Sequence, residues 1–155
     1  GRIGCHMSGD GDWGIQNTNI KPNFLEFIPD WLWAYNYPNN VIRSGVKIQD
    51  CTDPLGVYCY QLPYNVYPTA IYESIICIIL FIILWNLRKK IEISGILFSI
   101  YLIFNGIERF LIEKIRVNNK IYYGYTQAEI ISFMLIIIGF ISIFVLCYLN
   151  SKRKI

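Results

Sequence analysis

Three long apolar runs dominate the second half of the chain. Each run approaches the ~20 residues that a helix needs to cross the hydrocarbon core of a bilayer. The first and third runs carry no polar face of the kind that a helix on the surface of a soluble protein needs. The pattern therefore predicts an all-α integral membrane protein with three transmembrane helices, at about residues 69–88, 93–115 and 129–149.

The first part of the chain has a different composition. Residues 1–66 hold five of the six prolines and most of the glycines, which interrupt long helices. Four aromatic residues in this segment suit the headgroup level of a membrane: Trp31, Trp33, Tyr35 and Tyr37. We expect a loop-rich extracytoplasmic and interfacial segment with an active-site loop at 1–66, followed by the three-helix transmembrane region with a basic tail at 67–155.

Overall composition agrees with a membrane protein and excludes some partners. The chain of 155 residues is 54% hydrophobic and 16% charged, with a mean hydropathy of +0.38, which is too apolar for an ordinary soluble domain. A net charge of +3 is too small to indicate a nucleic-acid partner. Basic clusters follow the first and third helices, at 88–90 and 152–154, and the positive-inside rule places both in the cytoplasm. The segment before the first helix and the loop at about 114–126 are then expected outside.

The chain opens on a glycine-rich stretch, GRIGCHMSGDGDWG. Within it, residues 9–14 fit the G-x-G-x-x-G pattern of a dinucleotide-binding turn, which has meaning only after a strand and at the start of a helix. The sequence before it is not strand-like, and an Asn- and Pro-rich segment follows, so we reject a dinucleotide site. The stretch instead supplies Arg2 and a backbone that can approach an anion closely.

The five cysteines divide into three groups. Cys77 and Cys147 lie in apolar helices, where we expect them only to pack. Cys51 and Cys59 flank a Pro-Leu-Gly turn on the outer side, and the spacing permits a disulfide without requiring one. Cys5 is followed directly by His6, but adjacency in sequence does not make a nucleophile and base pair.

Ionisable residues inside a membrane span are costly and indicate function. At ~100° per residue, four polar side chains of the second helix share one stripe, and Glu108 borders it; they are Asn105, Arg109, Glu113 and Arg116. The rest of the circumference is apolar: Ile103, Phe104, Ile107, Phe110 and Leu111. Arg109 and Glu113 are four residues apart and can pair. The stripe is either a structural ion pair that joins helices or an anion site in which Arg109 grips a lipid phosphate.

Four motifs in order resemble the prolipoprotein diacylglyceryl transferase family. Residues 1–14 resemble its G-R-[IL]-G-N-F-x-N-G-E-x-x-G signature, and YPTAIYE at 67–73 is similar to its H-P-[ST]-Q-L-Y-E. GIERFLIEKIR at 106–116 matches G-x-x-R-[FI]-x-x-E-x-x-R, and TQAEIIS at 126–132 aligns with [ST]-x-G-Q-x-x-S. The resemblance predicts the C-terminal half of a seven-helix enzyme, with its three helices as the last three and the N-terminal half missing.

The resemblance implies a specific reaction. Such enzymes transfer the diacylglyceryl group of phosphatidylglycerol to the lipobox cysteine in the signal peptide of a lipoprotein precursor, and release glycerol 1-phosphate. The partners are therefore membrane lipid and the precursor, in the bacterial inner (cytoplasmic) membrane, with a periplasm-facing active site and a cytoplasmic C-terminus. No cofactor or metal is expected, because one histidine and scattered cysteines do not make a metal-ligand set.

The motif match also assigns site residues. Arg2 and Arg109 are expected to contact the phosphate, and Glu73 and Glu113 to orient them or to bind the glycerol. Glu73 alone could also be a first-turn carboxylate that the helix dipole favours. We expect Gly14 to be a tight-turn glycine and Tyr72 a pocket wall, with Asn105 and Arg116 on the lipid-binding stripe.

Several positions depart from the family pattern. Cys5 replaces an asparagine, His6 a phenylalanine, Tyr67 a histidine, and both Ala70 and Glu129 replace glutamines. These changes indicate a divergent branch, in which Cys5, Tyr67 and Glu129 are possible site residues. A non-catalytic lipid-binding or scaffold relative with the same fold remains the alternative. A small transporter with the stripe as its ion path is a third interpretation, but it explains Arg109 poorly and leaves the ordered motifs to coincidence.

Overall fold

The computed structural model describes residues 1–51, 53–54, 56–117 and 124–153. The chain forms two compact units. The first, the N-terminal unit, comprises residues 1–74 and 115–117, and the second, the helical unit, comprises residues 75–114 and 118–155. We describe each unit by itself.

The opening stretch, which was expected to be a loop, begins with a short helix. Helix α1 spans Arg2–Ser8 and ends at Gly9, which adopts the left-handed conformation at φ 61° and ψ 55°. The Gly9 amide donates a hydrogen bond to the Cys5 carbonyl oxygen, as at a glycine-terminated helix end. The glycine pattern at 9–14 thus follows a helix and not a strand, in agreement with the rejection of a dinucleotide turn.

Short elements make up the rest of the N-terminal unit. A 3-10 turn spans Asn23–Leu25, and helix α2 spans Asp30–Trp33. Strands β1 (Val46–Lys47) and β2 (Tyr60–Gln61) pair antiparallel. A disulfide between Cys51 and Cys59 closes the connection between the two strands, which resolves the question that the spacing of these cysteines left open.

The core of the N-terminal unit is small and aromatic. Tyr37, Leu62 and Val66 are buried together, and Trp13 and Tyr35 pack against them. Tyr37 was expected at the headgroup level, but only 2% of it is exposed. Its ring lies 4.9 Å from that of Tyr35 and 5.2 Å from that of Trp13, so the unit uses it as a core residue.

Three long helices follow. Helix α3 spans Thr69–Leu87, directly after Pro68, a residue suited to a helix start. Helix α4 spans Ile96–Ile115 and helix α5 spans Gln127–Arg153. Among the described residues, two helices are long and apolar enough to cross a membrane, α3 and α5 up to Lys152. In both, 11% of the most apolar stretch is buried, as suits side chains that face lipid.

Helix α4 differs because charged residues interrupt its apolar surface. Its buried side chains include Glu108 and Glu113. Ile103, which was expected on the apolar circumference away from the stripe, is buried as well. Of the three predicted membrane spans, α3 and α5 have the length and hydropathy of a span, and the span assigned to α4 stays a prediction.

Two glycines allow α4 and α5 to approach closely within the helical unit. A Cβ atom at Gly106 of α4 would lie 2.7 Å from the carbonyl oxygen of Ser132. A Cβ atom at Gly139 of α5 would lie 2.5 Å from Ile103 and 2.9 Å from the carbonyl oxygen of Ser99. Small residues at such crossings let helix backbones meet, a common mode of association between helices in lipid. This contact explains why Ile103 is buried.

Candidate active site

Arg2 is held by two carboxylates from different parts of the N-terminal unit. Its Nε donates a hydrogen bond to Oε1 of Glu73, at 2.8 Å, and its Nη1 forms an ion pair with Asp12. Glu73 lies in the second turn of α3 and is buried. The first and second motifs of the sequence analysis therefore meet at this ion pair. The side chain of Arg2 is 30% exposed, so the guanidinium is fixed but still accessible.

Asp12 also binds a second guanidinium. Arg116, which directly follows α4, forms an ion pair with Asp12 through Nη2. One carboxylate thus joins two arginines, and we call Arg2, Asp12, Glu73 and Arg116 the arginine cluster. The side chain of Arg116 is 13% exposed, and its Nε is buried with no hydrogen-bond partner within the described part of the chain. Such a donor is costly to leave unsatisfied, so it marks a place where a further acceptor would be favourable.

Gly14 brings the backbone of the opening stretch against residues next to Arg116. Gly14 forms an antiparallel bridge with Arg116, and its amide donates to the Tyr67 carbonyl oxygen at 2.8 Å. A Cβ atom at Gly14 would lie 2.8 Å from the Ile115 carbonyl oxygen and 2.9 Å from the Thr69 methyl group. The φ angle of Gly14 does not lie in the positive range that favours glycine. Its glycine identity is therefore required by close approach and not by the tight turn expected from the sequence.

The charges of the cluster influence one another. Burial lowers the pKa of Arg2, but the Glu73 carboxylate and, to a smaller extent, Cys5 together outweigh that effect and the net pKa is raised. Burial also lowers the pKa of Arg116, and the nearby Arg2 guanidinium lowers it further. Both arginines stay protonated at neutral pH, because a guanidinium group is not deprotonated in proteins. Two like charges that share one carboxylate form a place where an added anion relieves repulsion.

Cys5 and Asp10 lie beside the cluster. A hydrogen bond with the Asp10 carboxylate raises the pKa of the Cys5 thiol, and burial adds to the effect. Because the thiolate is the reactive form, Cys5 is a poor nucleophile here. The Cys5 sulfur and the carboxylates of Asp10 and Asp12 come within 4.8 Å of one another, but Asp12 is already paired with two guanidiniums, which disfavour a metal cation.

The contacts that His6 makes are with aromatic side chains. Its ring is buried in an aromatic cage, 5.1 Å from that of Tyr35 and 5.9 Å from that of Trp31. Its Nδ1 lies 3.2 Å from the Tyr37 hydroxyl oxygen. Burial lowers the pKa of His6, which favours its neutral form. The residue therefore connects α1 to the aromatic core.

The two tyrosines of the second motif bind backbone and amide groups. The Tyr72 hydroxyl donates to the Leu32 carbonyl oxygen at 2.8 Å. The Tyr67 hydroxyl accepts a hydrogen bond from the Asn19 side chain, also at 2.8 Å, and its ring contacts Trp33 edge-on. Both side chains thus attach the segment around residues 19–33 to the start of α3.

The remaining predicted site residues lie in the helical unit. Asn105 and Arg109 are half-buried on α4, and Glu113 is buried. The Glu129 carboxylate accepts a hydrogen bond from the Thr126 amide, and the Glu129 amide donates one to the Thr126 hydroxyl oxygen, which is a capping box at the start of α5. It also pairs with Lys114 at 2.5 Å. These contacts assign Glu129 a structural role in starting α5.

Sequence reasoning missed Asp12 as a site residue. The residue lies inside the opening motif, but only its contacts with Arg2 and Arg116 distinguish it from the neighbouring Asp10. The available signal was an acidic residue in the glycine-rich stretch that also carries the predicted phosphate-contacting Arg2.

Comparisons with known proteins agree with the motif assignment. A family model described as prolipoprotein diacylglyceryl transferase matches residues 1–145. A phosphatidylglycerol–prolipoprotein diacylglyceryl transferase of Clostridium novyi (strain NT) is 39% identical over 159 residues, which cover 92% of this chain and 60% of the relative. The Chlorobaculum tepidum protein of the same name is 30% identical over 140 residues, 82% of this chain and 48% of the relative.

A third relative matches over a shorter stretch of the chain. The protein of that name in Streptococcus uberis is 41% identical over 76 residues, 48% of this chain and 29% of the relative. No solved structure matches. The chain thus spans between 29% and 60% of the length of these three relatives. On the family match and the relatives' identity, the chain belongs to the prolipoprotein diacylglyceryl transferase family.

Proposed function

We propose that the protein transfers the diacylglyceryl group of phosphatidylglycerol to the lipobox cysteine of lipoprotein precursors, the first step of bacterial lipoprotein maturation. The observation that carries the proposal is the arginine cluster. Two guanidiniums share Asp12, and Glu73 fixes one of them. The names of the relatives supply the reaction, and the cluster supplies groups that suit its most demanding step.

In this reaction a carbon–sulfur bond forms and a carbon–oxygen bond breaks. The cysteine sulfur attacks the glyceryl carbon, the oxygen of glycerol 1-phosphate leaves with the bond electrons, and the thiol proton passes to the leaving phosphate, directly or through water. The developing charge on the leaving phosphate must be stabilised, and a fixed guanidinium does this without reorganisation. The contacts of Arg2 occupy part of its five-donor fork, and we assign the remaining N–H groups to the phosphate.

Family motifs extend the assignment to the helical unit. We assign Arg109 as a second phosphate-contacting arginine, and Glu113 as its orienting carboxylate or a partner of the glycerol. Asn105 and Arg116 belong to the polar stripe that meets the lipid headgroup, and the unsatisfied Nε of Arg116 supports its place there. Tyr67 and Cys5 stay candidates at positions where the family has histidine and asparagine. Tyr72 is assigned to the wall of the lipid pocket.

We further propose the membrane arrangement that the charges and helices support. Helices α3, α4 and α5 are the last three of a seven-helix bundle in the bacterial inner membrane. Residues 1–66 form the extracytoplasmic and interfacial segment, and 67–155 the transmembrane region. The basic residues at 88–90 and 152–154 favour a cytoplasmic C-terminus, with the active site toward the periplasm.

The test is rescue of bacteria that are depleted of their own enzyme. We expect the protein to restore lipoprotein acylation, detected as a thioether-linked diacylglyceryl group by mass spectrometry. Arg2→Ala and Arg109→Ala should abolish the rescue, and Arg2→Lys should fail as well because an ammonium cannot bind Glu73 and Asp12 as a fork. Arg43→Ala is the matched control, since Arg43 is an exposed arginine of the N-terminal unit.

Two outcomes would change the interpretation. If the unmodified protein inserts normally but acylates no precursor, the protein is a lipid-binding or scaffold relative. If Arg2→Ala retains full activity at equal protein level, the arginine cluster is not the phosphate site.

A further inference from the structure

An unusual surface occurs in the N-terminal unit, between residues 20 and 31, which we call the apolar loop. Ile20 is 93% exposed, Phe24 75%, Phe27 81% and Trp31 47%. Soluble surfaces carry single apolar residues, but several large ones within one short segment indicate contact with a partner or a membrane. None of these residues has a role in the proposed reaction, and only Trp31 was expected from the sequence to lie at the headgroup level.

The loop is built to expose its apolar side chains. The Lys21 ammonium donates to the Ile28 carbonyl oxygen and pairs with Asp30 at 3.0 Å, so the chain closes on itself. The Lys21 side chain is only 17% exposed. The usual surface arrangement is thus inverted, because the lysine is turned inward while the two phenylalanines lie in the open.

Both ends of the loop are bonded to the residues at which a membrane-spanning helix begins. After the loop, the Leu32 carbonyl oxygen accepts the Tyr72 hydroxyl in the first turn of α3. Before it, the Asn19 side chain donates to the Tyr67 hydroxyl, and Trp33 joins the two ends through a hydrogen bond to the Asn19 carbonyl oxygen. The loop is therefore attached at both ends to the residues at the start of α3.

We infer that the apolar loop inserts into the lipid bilayer, with Phe24 and Phe27 below the headgroups. We assign lipid as the occupant of this surface, because the residues that flank the loop are bonded to Tyr67 and Tyr72, at the start of a helix that is long and apolar enough to cross a membrane. Aromatic rings favour the membrane interface, and a loop that satisfies its lysine internally brings no free ammonium into the acyl region. The loop thereby acts as a second, shallow attachment of the N-terminal unit to the membrane.

Depth-resolved fluorescence in proteoliposomes tests the insertion and does not depend on enzymatic activity. Phe24→Trp and Phe27→Trp are made separately, and the emission of unmodified protein is subtracted. Tyr58→Trp is the matched control, an exposed aromatic position of the same unit within the disulfide-closed connection. Vesicles contain phosphatidylcholine and phosphatidylglycerol, with or without bromine on the acyl chains, at about one protein per vesicle.

We expect brominated lipid to reduce the added emission of Phe24→Trp and Phe27→Trp at least twofold, while iodide in the water quenches them weakly. Tyr58→Trp should show the opposite preference. Iodide quenching of both loop variants to the level of Tyr58→Trp, without bromine quenching, would overturn the inference. Emission that is protected from both quenchers, and more so at high protein density, would also overturn it, because it would assign the loop to a second copy of the chain.

Discussion

Replacing Asp12 by asparagine tests whether the arginine cluster is held together by one carboxylate. The substitution keeps the size of the side chain but removes its charge, so two guanidiniums lose their shared partner. A hydrogen bond to a charged group contributes about 1.5–3 kcal/mol, and loss of one buried ionic partner costs about 3–5 kcal/mol. The three side chains are between 13% and 30% exposed, so solvent screening lowers the sum. We expect a loss of about 3 kcal/mol.

Thermal unfolding in detergent measures the effect. A loss of this size lowers Tm by roughly 6–12 °C for a chain of this length. Asp30→Asn is the matched control, because Asp30 also pairs with a cation but its side chain is 96% exposed. Adding Arg116→Gln to Asp12→Asn should cost less than the two single losses together, since the residues share an interaction.

Equal Tm values for Asp12→Asn and Asp30→Asn would refute the reasoning, and so would full additivity with Arg116→Gln. We also expect Asp12→Asn to lower kcat more than it raises KM at a temperature where the variant is folded. This expectation rests on the proposed function, in which Asp12 is a positioning residue that orients Arg2 through their ion pair.

Two further predictions follow from close packing and from burial. Gly14→Ala should destabilise the protein by about 1–3 kcal/mol, because its Cβ atom would lie 2.8 Å from a carbonyl oxygen. The control is Gly4→Ala, whose Cβ atom meets no atom within 4 Å and which should leave Tm unchanged or higher. Equal Tm values for the two variants would contradict the close approach at Gly14. Burial holds the pKa of His6 below 6.5, so the unfolded chain binds a proton first and stability is lost as the pH falls below about 6.5. His6→Gln should flatten this part of the Tm–pH curve, and a curve with the same slope as that of the unmodified protein would show that His6 is not its source.

The sequence by itself determined the helices and the family. The first apolar run is long enough to cross a bilayer and has no polar face. It predicted a helix at about 69–88, and α3 spans Thr69–Leu87. The four motifs, read in order, predicted the family that residues 1–145 match. Both features are encoded locally, in composition and in short spacings, so they need no knowledge of which segments meet.

Only the tertiary structure decided how the site is assembled. Asp10 and Asp12 lie in the same glycine-rich stretch, and the ion pair with Arg116, which directly follows α4, distinguishes Asp12. In the same way, the tertiary structure shows that Tyr37, which was predicted at the headgroup level, is a buried core residue, and that Phe24 and Phe27 are exposed. The physical reason is that charge pairing and burial depend on distances between sequence-distant segments, whereas hydropathy and motif spacing report only what neighbouring residues are.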